Sequence, residues 1–421
     1  MEKSGKFRLT SLERNWILYD VGNSAFVLMV ATLIPIFFNA LAAAGGLSSV
    51  EYLAYWGYAS SAVTIITAVL SPILGTVADT KGFKKPIFIL CVFVGIVGCC
   101  AMGAVSAWLP FLVIFVIAKV GFSGSLVFYD SMLSDVTTPE RMDEVSSRGY
   151  AWGYIGSCVP FVVCLGLVLG AGSIGISQMT ALNLALLLTA AWWLLTTLPL
   201  LKSYKQLYYV EVEKHAVRQS FARIGHTLRH LPEDKQVFWF LLAFFCYIDG
   251  VYTIIDMATA YGTALGLDTT GLLLALLVTQ IVAFPSALIF GRLSNKYPSA
   301  KLIPVCIAAY AGIAVFAFFL TRQWQFWVLA VIVGMFQGGV QALSRSHFAK
   351  IIPPEKSGEY FGLFDICGKG ASFLGTMIVS VGSQLTGSAN VGVGSLIVLF
   401  VVGFVLFRVS CKAGVITDSV N

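Results

Sequence analysis

Twelve stretches of mostly apolar residues, at 16–41, 52–77, 86–106, 108–133, 146–170, 178–201, 237–261, 270–290, 302–320, 324–344, 360–381 and 392–410, follow one another with short polar interruptions. At about 1.5 Å rise per residue, each can cross a hydrocarbon layer roughly 30 Å thick as a helix. Backbone inside lipid must satisfy its own hydrogen bonds, which leaves helices or a closed barrel, and stretches this long and continuous are helical. The pattern therefore predicts an all-α membrane protein with twelve transmembrane helices. Composition agrees: 58% hydrophobic and 11% charged residues lie far from the roughly 45–50% and 25% of soluble domains, which excludes a soluble protein. The nine cysteines all sit in or at the ends of apolar stretches and read as small hydrophobes, not as a disulfide framework. The first stretch exceeds the ~7–15-residue apolar core of a cleaved signal peptide and is expected to remain as a span.

The net charge of +6 invites a nucleic-acid reading, but placement of the cations argues for membrane topology and no nucleic-acid partner. Loops numbered alternately put 1–15, 78–85, 134–147, 202–236, 291–301, 345–359 and the C-terminal tail on one side. Of the 27 Lys and Arg, only Arg322 falls in a loop on the other side, with Lys119 and Lys369 well inside spans. The positive-inside rule then predicts both termini in the cytoplasm. The longest hydrophilic segment, 202–236, carries seven basic and four acidic residues and reads as a linker, with an amphipathic helix around 220–230 lying on the membrane surface. His226 and His230 are spaced i, i+4, but no Cys stands near them and the carboxylates Glu233 and Asp234 follow only past Pro232, so no metal is expected.

The chain repeats itself. The loop after the second span reads Gly75-Thr-Val-Ala-Asp79-Thr-Lys81-Gly82-Phe-Lys84-Lys85, and the one after the eighth, 216 residues later, Gly291-Arg-Leu-Ser-Asn295-Lys296. Thr138-Pro139-Glu140-Arg141 returns as Pro353-Pro354-Glu355-Lys356 at an offset of 215. Tyr19-Asp20 in span 1 corresponds to Ile248-Asp249 in span 7. Two pseudo-symmetric six-helix bundles, 1–201 and 237–421, joined by the linker 202–236, are thus predicted.

The loop between spans 2 and 3 has a legible logic: Gly75 permits close helix approach, Asp79 caps a facing helix N-terminus or pairs with a base, Gly82 turns the chain, and Lys84 and Lys85 hold it at the membrane surface. This Gly75-x-x-x-Asp79-x-x-Gly82-x-Lys84-Lys85 run resembles the signature loop of the major facilitator superfamily, with a degenerate second copy at Gly291, Asn295 and Lys296. Thr80 stands where a base is usual, and Asn295 where an acid is usual. Arg14-Asn15-Trp16-x-x-Tyr19-Asp20-x-x-Asn23-Ser24, Tyr247-Ile248-Asp249-Gly250 and Phe361-Gly362-Leu363-Phe364-Asp365-x-x-Gly368-Lys369 are similar to the vacuole-effluxer-like branch, which includes autophagy-related vacuolar amino-acid effluxers of fungi. The resemblance implies the major facilitator fold, a secondary carrier, a latch role for both loops, and lipid-facing spans 3, 6, 9 and 12.

Ionisable residues inside spans cost about 2.5–3.5 kcal/mol each on insertion scales, and they mark wet interiors. Asp20 lies in span 1, Lys119 and Asp130 in span 4, Asp249 and Asp256 in span 7, and Asp365 and Lys369 in span 11, while spans 3, 6 and 9 hold none in their interiors. Counted at 1.5 Å per residue, Lys119, Asp249 and Lys369 fall about 15–18 Å deep, where carrier sites lie. Asp20 and Asp130 fall near the basic side and clamp a gate or bind solute; Asp365 and Lys369 form a local i, i+4 ion pair or part of a site. Asp249 and Asp256, seven apart on one helix face, suit proton coupling. Asn23, Gln280, Gln337 and Gln341 line a cavity or pack helices together.

No His-Glu-x-x-His, Gly-x-Ser-x-Gly or phosphate-binding glycine loop occurs, so neither an enzyme nor a nucleotide-driven pump is indicated, and no cofactor is expected. The expectation is a monomeric secondary transporter, in contact with membrane lipids and coupled to protons, that moves a small polar solute. Mid-depth charges of both signs favour a zwitterion such as an amino acid. An organic-anion carrier and a non-transporting sensor on the same scaffold are the alternatives.

Overall fold

The computed structural model describes residues 7–211, 225–227 and 229–418. Within them run twelve long helices: α1 Ser11–Ala44, α2 Ser49–Ala78, α3 Lys84–Met102, α4 Trp108–Ser131, α5 Met142–Leu169, α6 Gln178–Ser203, α7 Lys235–Ala264, α8 Thr269–Leu293, α9 Ser299–Phe318, α10 Gln323–Ile351, α11 Ser357–Thr386 and α12 Ile397–Asp418. Eleven of the spans are long and apolar enough to cross a membrane. The twelfth, α11, is 30 residues long and carries Glu359, Asp365 and Lys369. Among the described residues the only strand-like feature is an isolated bridge between Thr80 and Val210. The amphipathic helix expected around 220–230 falls largely outside the described residues.

Helix starts are written in the sequence. Thr10 and Ser48 cap α1 and α2 with full capping boxes, the third residue of each helix being Glu13 or Glu51. Ser177 and Asp268 cap α6 and α8 from their side chains. α1 is interrupted at Thr32. Pro35 lacks the N–H that would bond to Ala31, and its ring crowds that carbonyl.

Two boundary shifts bear on the site. α10 continues seven residues past 344 to Ile351, and α5 begins at Met142 instead of 146. Arg345, read above as a loop cation, is therefore a buried helical residue, as are Asp143 and Glu144. These charged turns look solvated in sequence, but their partners lie on facing helices.

α1 packs on α5 and α6 and α3 on α4, while α7 packs on α11 and α12 and α8 on α10. The first six helices meet the last six mainly along α2–α11 and α5–α8. The repeat relates these contacts, since it carries α2 onto α8 and α5 onto α11. Leu90, Phe93 and Val97 on α3, Leu194 and Leu195 on α6, Val305 on α9, and Val401 and Val405 on α12 are exposed. Such apolar outer surface fits lipid and a multi-pass integral membrane protein.

Candidate functional site

The α2–α11 and α5–α8 seams are closed at the end of the molecule that carries the basic loops, called here the basic side. The first layer is the latch loop. Gly75 lies so close to Gly358 that a Cβ there would come within 2.7 Å of the Gly358 carbonyl carbon. Asp79 accepts hydrogen bonds from the amides of Gly358 (2.7 Å, Oδ1) and Glu359 (2.8 Å, Oδ2), the first turn of α11. A carboxylate at a helix N-terminus satisfies donors that have no partner within the helix and meets the positive end of the dipole. Lys84, fully buried, donates to Ser357 Oγ at 2.8 Å and lies 3.5 Å from Asp135 and 3.8 Å from Asp79. It supplies the base that Thr80 does not. Gly82 takes φ 79° and Lys85 reaches the Tyr204 carbonyl at 3.5 Å.

The first linker residues dock on this loop. Val210 N–H donates to the Asp79 carbonyl and Lys81 N–H to the Val210 carbonyl, while Asp135 accepts from the amides of Leu207 and Tyr208. Tyr209 and Glu211 hold the exposed Lys81 ammonium above its usual range.

The second copy works differently. A Cβ on Gly291 would meet Ser147 at 2.9 Å, so this glycine again marks a close crossing. Asn295 donates to Glu144 Oε2 of α5 at 2.8 Å, so the acid missing from the loop comes from the facing helix. Lys296 is exposed.

A second layer lies deeper. Arg345, 2% exposed, crosses from α10 into the first six helices. It donates to Asp130 Oδ1 (3.0 Å), to Ser146 Oγ (2.9 Å) and to the Ser146 carbonyl (3.0 Å), and it stands 3.7 Å from Asp20 Oδ2. Its guanidinium packs over Trp16, Tyr129 and Tyr150, at 4.7, 5.4 and 4.3 Å from the ring centres. Trp16 and Tyr129 stack at 4.3 Å, and Tyr19 donates to Ser125 at 2.6 Å, which explains the aromatic residues around Asp20. Beside this cluster, Asp143 accepts from Ser346 Oγ and pairs with Lys350 at 2.6 Å.

Further from the basic side, Ser71 donates to Asp365 Oδ2 at 2.7 Å and Tyr154 to Gln341 at 3.4 Å. Beyond this point lie two further charged residues, one from each half. Lys119 of α4 is half-buried with its ammonium 4.6 Å from the centre of the Phe122 ring. Asp256 of α7 is solvent-exposed although protein surrounds it, and the charge of Lys119 acts on it. Gln280 and Gln337 line a neighbouring, mainly apolar pocket within the last six helices.

Asp249 departs from the expected arrangement. It is fully buried, its two oxygens each 2.9 Å from the Gly375 amide of α11, with Thr253 Oγ donating at 3.3 Å. Seven residues bring it to within about 20° of Asp256 around the helix, but two turns deeper that face meets α11 instead of water. Asn23 is buried one turn above Asp20, its Nδ2 without a partner. The Lys369 side chain lies outside the described residues.

Arg345 is the residue that sequence reading missed, and the repeat held the signal. It lies 215 residues after Asp130, the offset that relates the loops after α4 and α10. Two positions related by a pseudo-twofold axis and close to it face each other across it.

Two six-helix sets joined at one end by a latch loop and a buried charge cluster define a transporter of the major facilitator class. The human organic anion transporter MFSD10 superposes with a TM-score of 0.71 at 14% identity, covering 94% of this chain and 98% of that one. The outward conformation of FucP gives 0.70 at 16% identity, covering 95% and 97%. The chain belongs to the vacuole effluxer Atg22 like family, whose model matches residues 11–414. It is 43% identical over 404 residues to the uncharacterized MFS-type transporter YxiO of Bacillus subtilis, covering 95% of this chain and 94% of that protein. Autophagy-related protein 22 of Coccidioides immitis is 25% identical over 63% of this chain, which spans about half (51%) of that longer protein.

Proposed function

We propose that the protein is a secondary active transporter of small zwitterions, amino acids among them. It works by alternating access, with 1–201 rocking against 237–421, the basic side in the cytoplasm and protons as the coupling ion. One observation carries this reading: Lys119 and Asp256, of opposite sign and from opposite halves, lie close enough for the charge of Lys119 to act on Asp256. They lie about 16 Å and about 12 Å from the helix ends remote from the basic side. A solute carboxylate at Lys119 and an ammonium at Asp256 would compensate charges that each cost about 2.5–3.5 kcal/mol in the membrane interior. Asp256 thereby takes the part that depth alone suggested for Asp249. The family description supports efflux as the direction.

Flux of an amino acid, its amide and its hydroxy-acid analogue into proteoliposomes tests this. Wild type should prefer the amino acid over both analogues. Lys119→Gln should lose discrimination against the amide, and Asp256→Asn against the hydroxy acid. Equal transport of amino acid and amide by wild type removes the zwitterion reading, and binding without flux identifies a sensor.

A further inference from the structure

The Arg345 cluster holds more negative charge than it can pair. One guanidinium serves Asp130 at 3.0 Å and Asp20 at 3.7 Å, and the buried Asp20 Oδ2 makes no closer ion pair, with only the neutral Tyr129 and Asn23 beside it. On the same seam Asp143 is matched by Lys350, and the two carboxylates that share Lys84, Asp79 and Asp135, each accept backbone amides as well. Among the described residues, the groups around the pair add no second cation. Tyr129 and Tyr150 face it from α4 and α5, Trp16 and Asn23 from α1, and Tyr252 from α7, while Asp365 of α11 adds negative charge. The Asp20 side chain is 10% exposed and that of Asp130 20%, which gives a proton access to the pair.

The geometry points to Asp20 and Asp130 as a proton-binding site, separate from the solute site, whose occupancy releases Arg345 and opens the basic side. Opening withdraws Arg345 with α10, because every polar partner of its guanidinium belongs to the first six helices. Withdrawal would leave two neighbouring carboxylates with no cation between them, and such a pair holds a proton more tightly than one beside a guanidinium. Linkage makes this reciprocal: a proton on the pair removes one of the two anions that retain Arg345 and favours the open state. One proton exchanged per opening changes the closed-to-open ratio by up to about tenfold per pH unit. The inference rests on the alternating-access part of the proposed function and on nothing about the solute.

Spin labels introduced through an encoded amino acid at Glu140 and Glu355 report this without touching the native cysteines. Both residues are exposed on the basic side, in loops of opposite halves. Distances would be read from the full chain in lipid nanodiscs between pH 8 and 5, without solute. A short distance at pH 8 should give way to a longer one as the pH falls, at up to about tenfold in population ratio per unit. Asp20→Asn keeps the Arg345–Asp130 pair and should flatten this response, and so should Asp130→Asn. Asp143→Asn, on the same seam but outside the cluster, should keep the slope. A wild-type ratio indifferent to pH overturns the inference. So does closure by acid, a response undiminished in both cluster variants, or one that follows sodium at fixed pH. Because the readout is distance and not flux, each of these leaves the zwitterion reading standing.

Discussion

Gly75→Ala puts the latch under a defined load. The new methyl would sit 2.7 Å from the carbonyl carbon of Gly358, whereas carbon atoms in contact settle at about 3.5–4 Å. The obstructing atoms are backbone, so α2 and α11 must separate by roughly 1 Å. That displacement stretches the bonds from Gly358 and Glu359 to Asp79, now 2.7 and 2.8 Å, to near the limit at which they cease to be hydrogen bonds. Each donates to a charged group and is worth about 1.5–3 kcal/mol. Loss of about 3 kcal/mol from the closed state alone shifts the closed-to-open ratio by roughly a hundredfold, at about 1.4 kcal/mol per decade. Hydrogen–deuterium exchange at constant pH reads this at the two amides themselves, whose protection in wild type should fall by a comparable factor. Gly166→Ala is the control, since a Cβ there meets nothing within 4 Å. Unchanged protection of Gly358 and Glu359 in a folded Gly75→Ala protein would refute the close-approach argument, and equal loss in Gly166→Ala would show a general loosening.

Two further substitutions separate structural from functional charge. Lys84→Met leaves Asp79 and Asp135 buried without their shared cation. Removing one partner of a buried pair costs about 3–5 kcal/mol, so the variant should melt well below wild type in detergent, and an unchanged melting temperature would deny Lys84 that role. Asp249→Ala deprives the Gly375 amide of its acceptor, at about 1–3 kcal/mol, whereas Asp249→Asn retains one; the thermal shift should be large for Ala and small for Asn, with pH-driven flux persisting in the Asn variant. Loss of gradient-driven flux in a stable Asp249→Asn protein would return the coupling role to that residue.

What the sequence made legible followed from what each signal measures. Span length and hydropathy respond to the hydrocarbon thickness, so all twelve helices were readable, as were capped starts such as Thr10 with Glu13, because lipid and helix geometry act locally along the chain. The latch was readable too, since Gly75 and Asp79 act where their own loop ends, even though their partners lie some 280 residues away. Polar turns at helix ends failed because sequence polarity cannot distinguish water from a buried partner. Arg345, Asp143 and Glu144 look like loop charges until α5, α8 and α10 are placed together. Asp249 failed for the converse reason: depth and helical phase located it to within a turn, but whether that face meets solvent or the α11 backbone depends on a neighbour that contributes its Gly375 amide from 126 residues away. The repeat is the exception among these signals because it carries tertiary information. An offset of 215 pairs Asp130 with Arg345, and opposite charges at symmetry-related positions near the axis are the pattern that one chain would need to clamp its two halves together at a single point. Asp20 is the unmatched member: Asp249, set against it in the alignment of spans 1 and 7, is turned away into α11, so the first half brings two carboxylates to the axis and the second half only one cation.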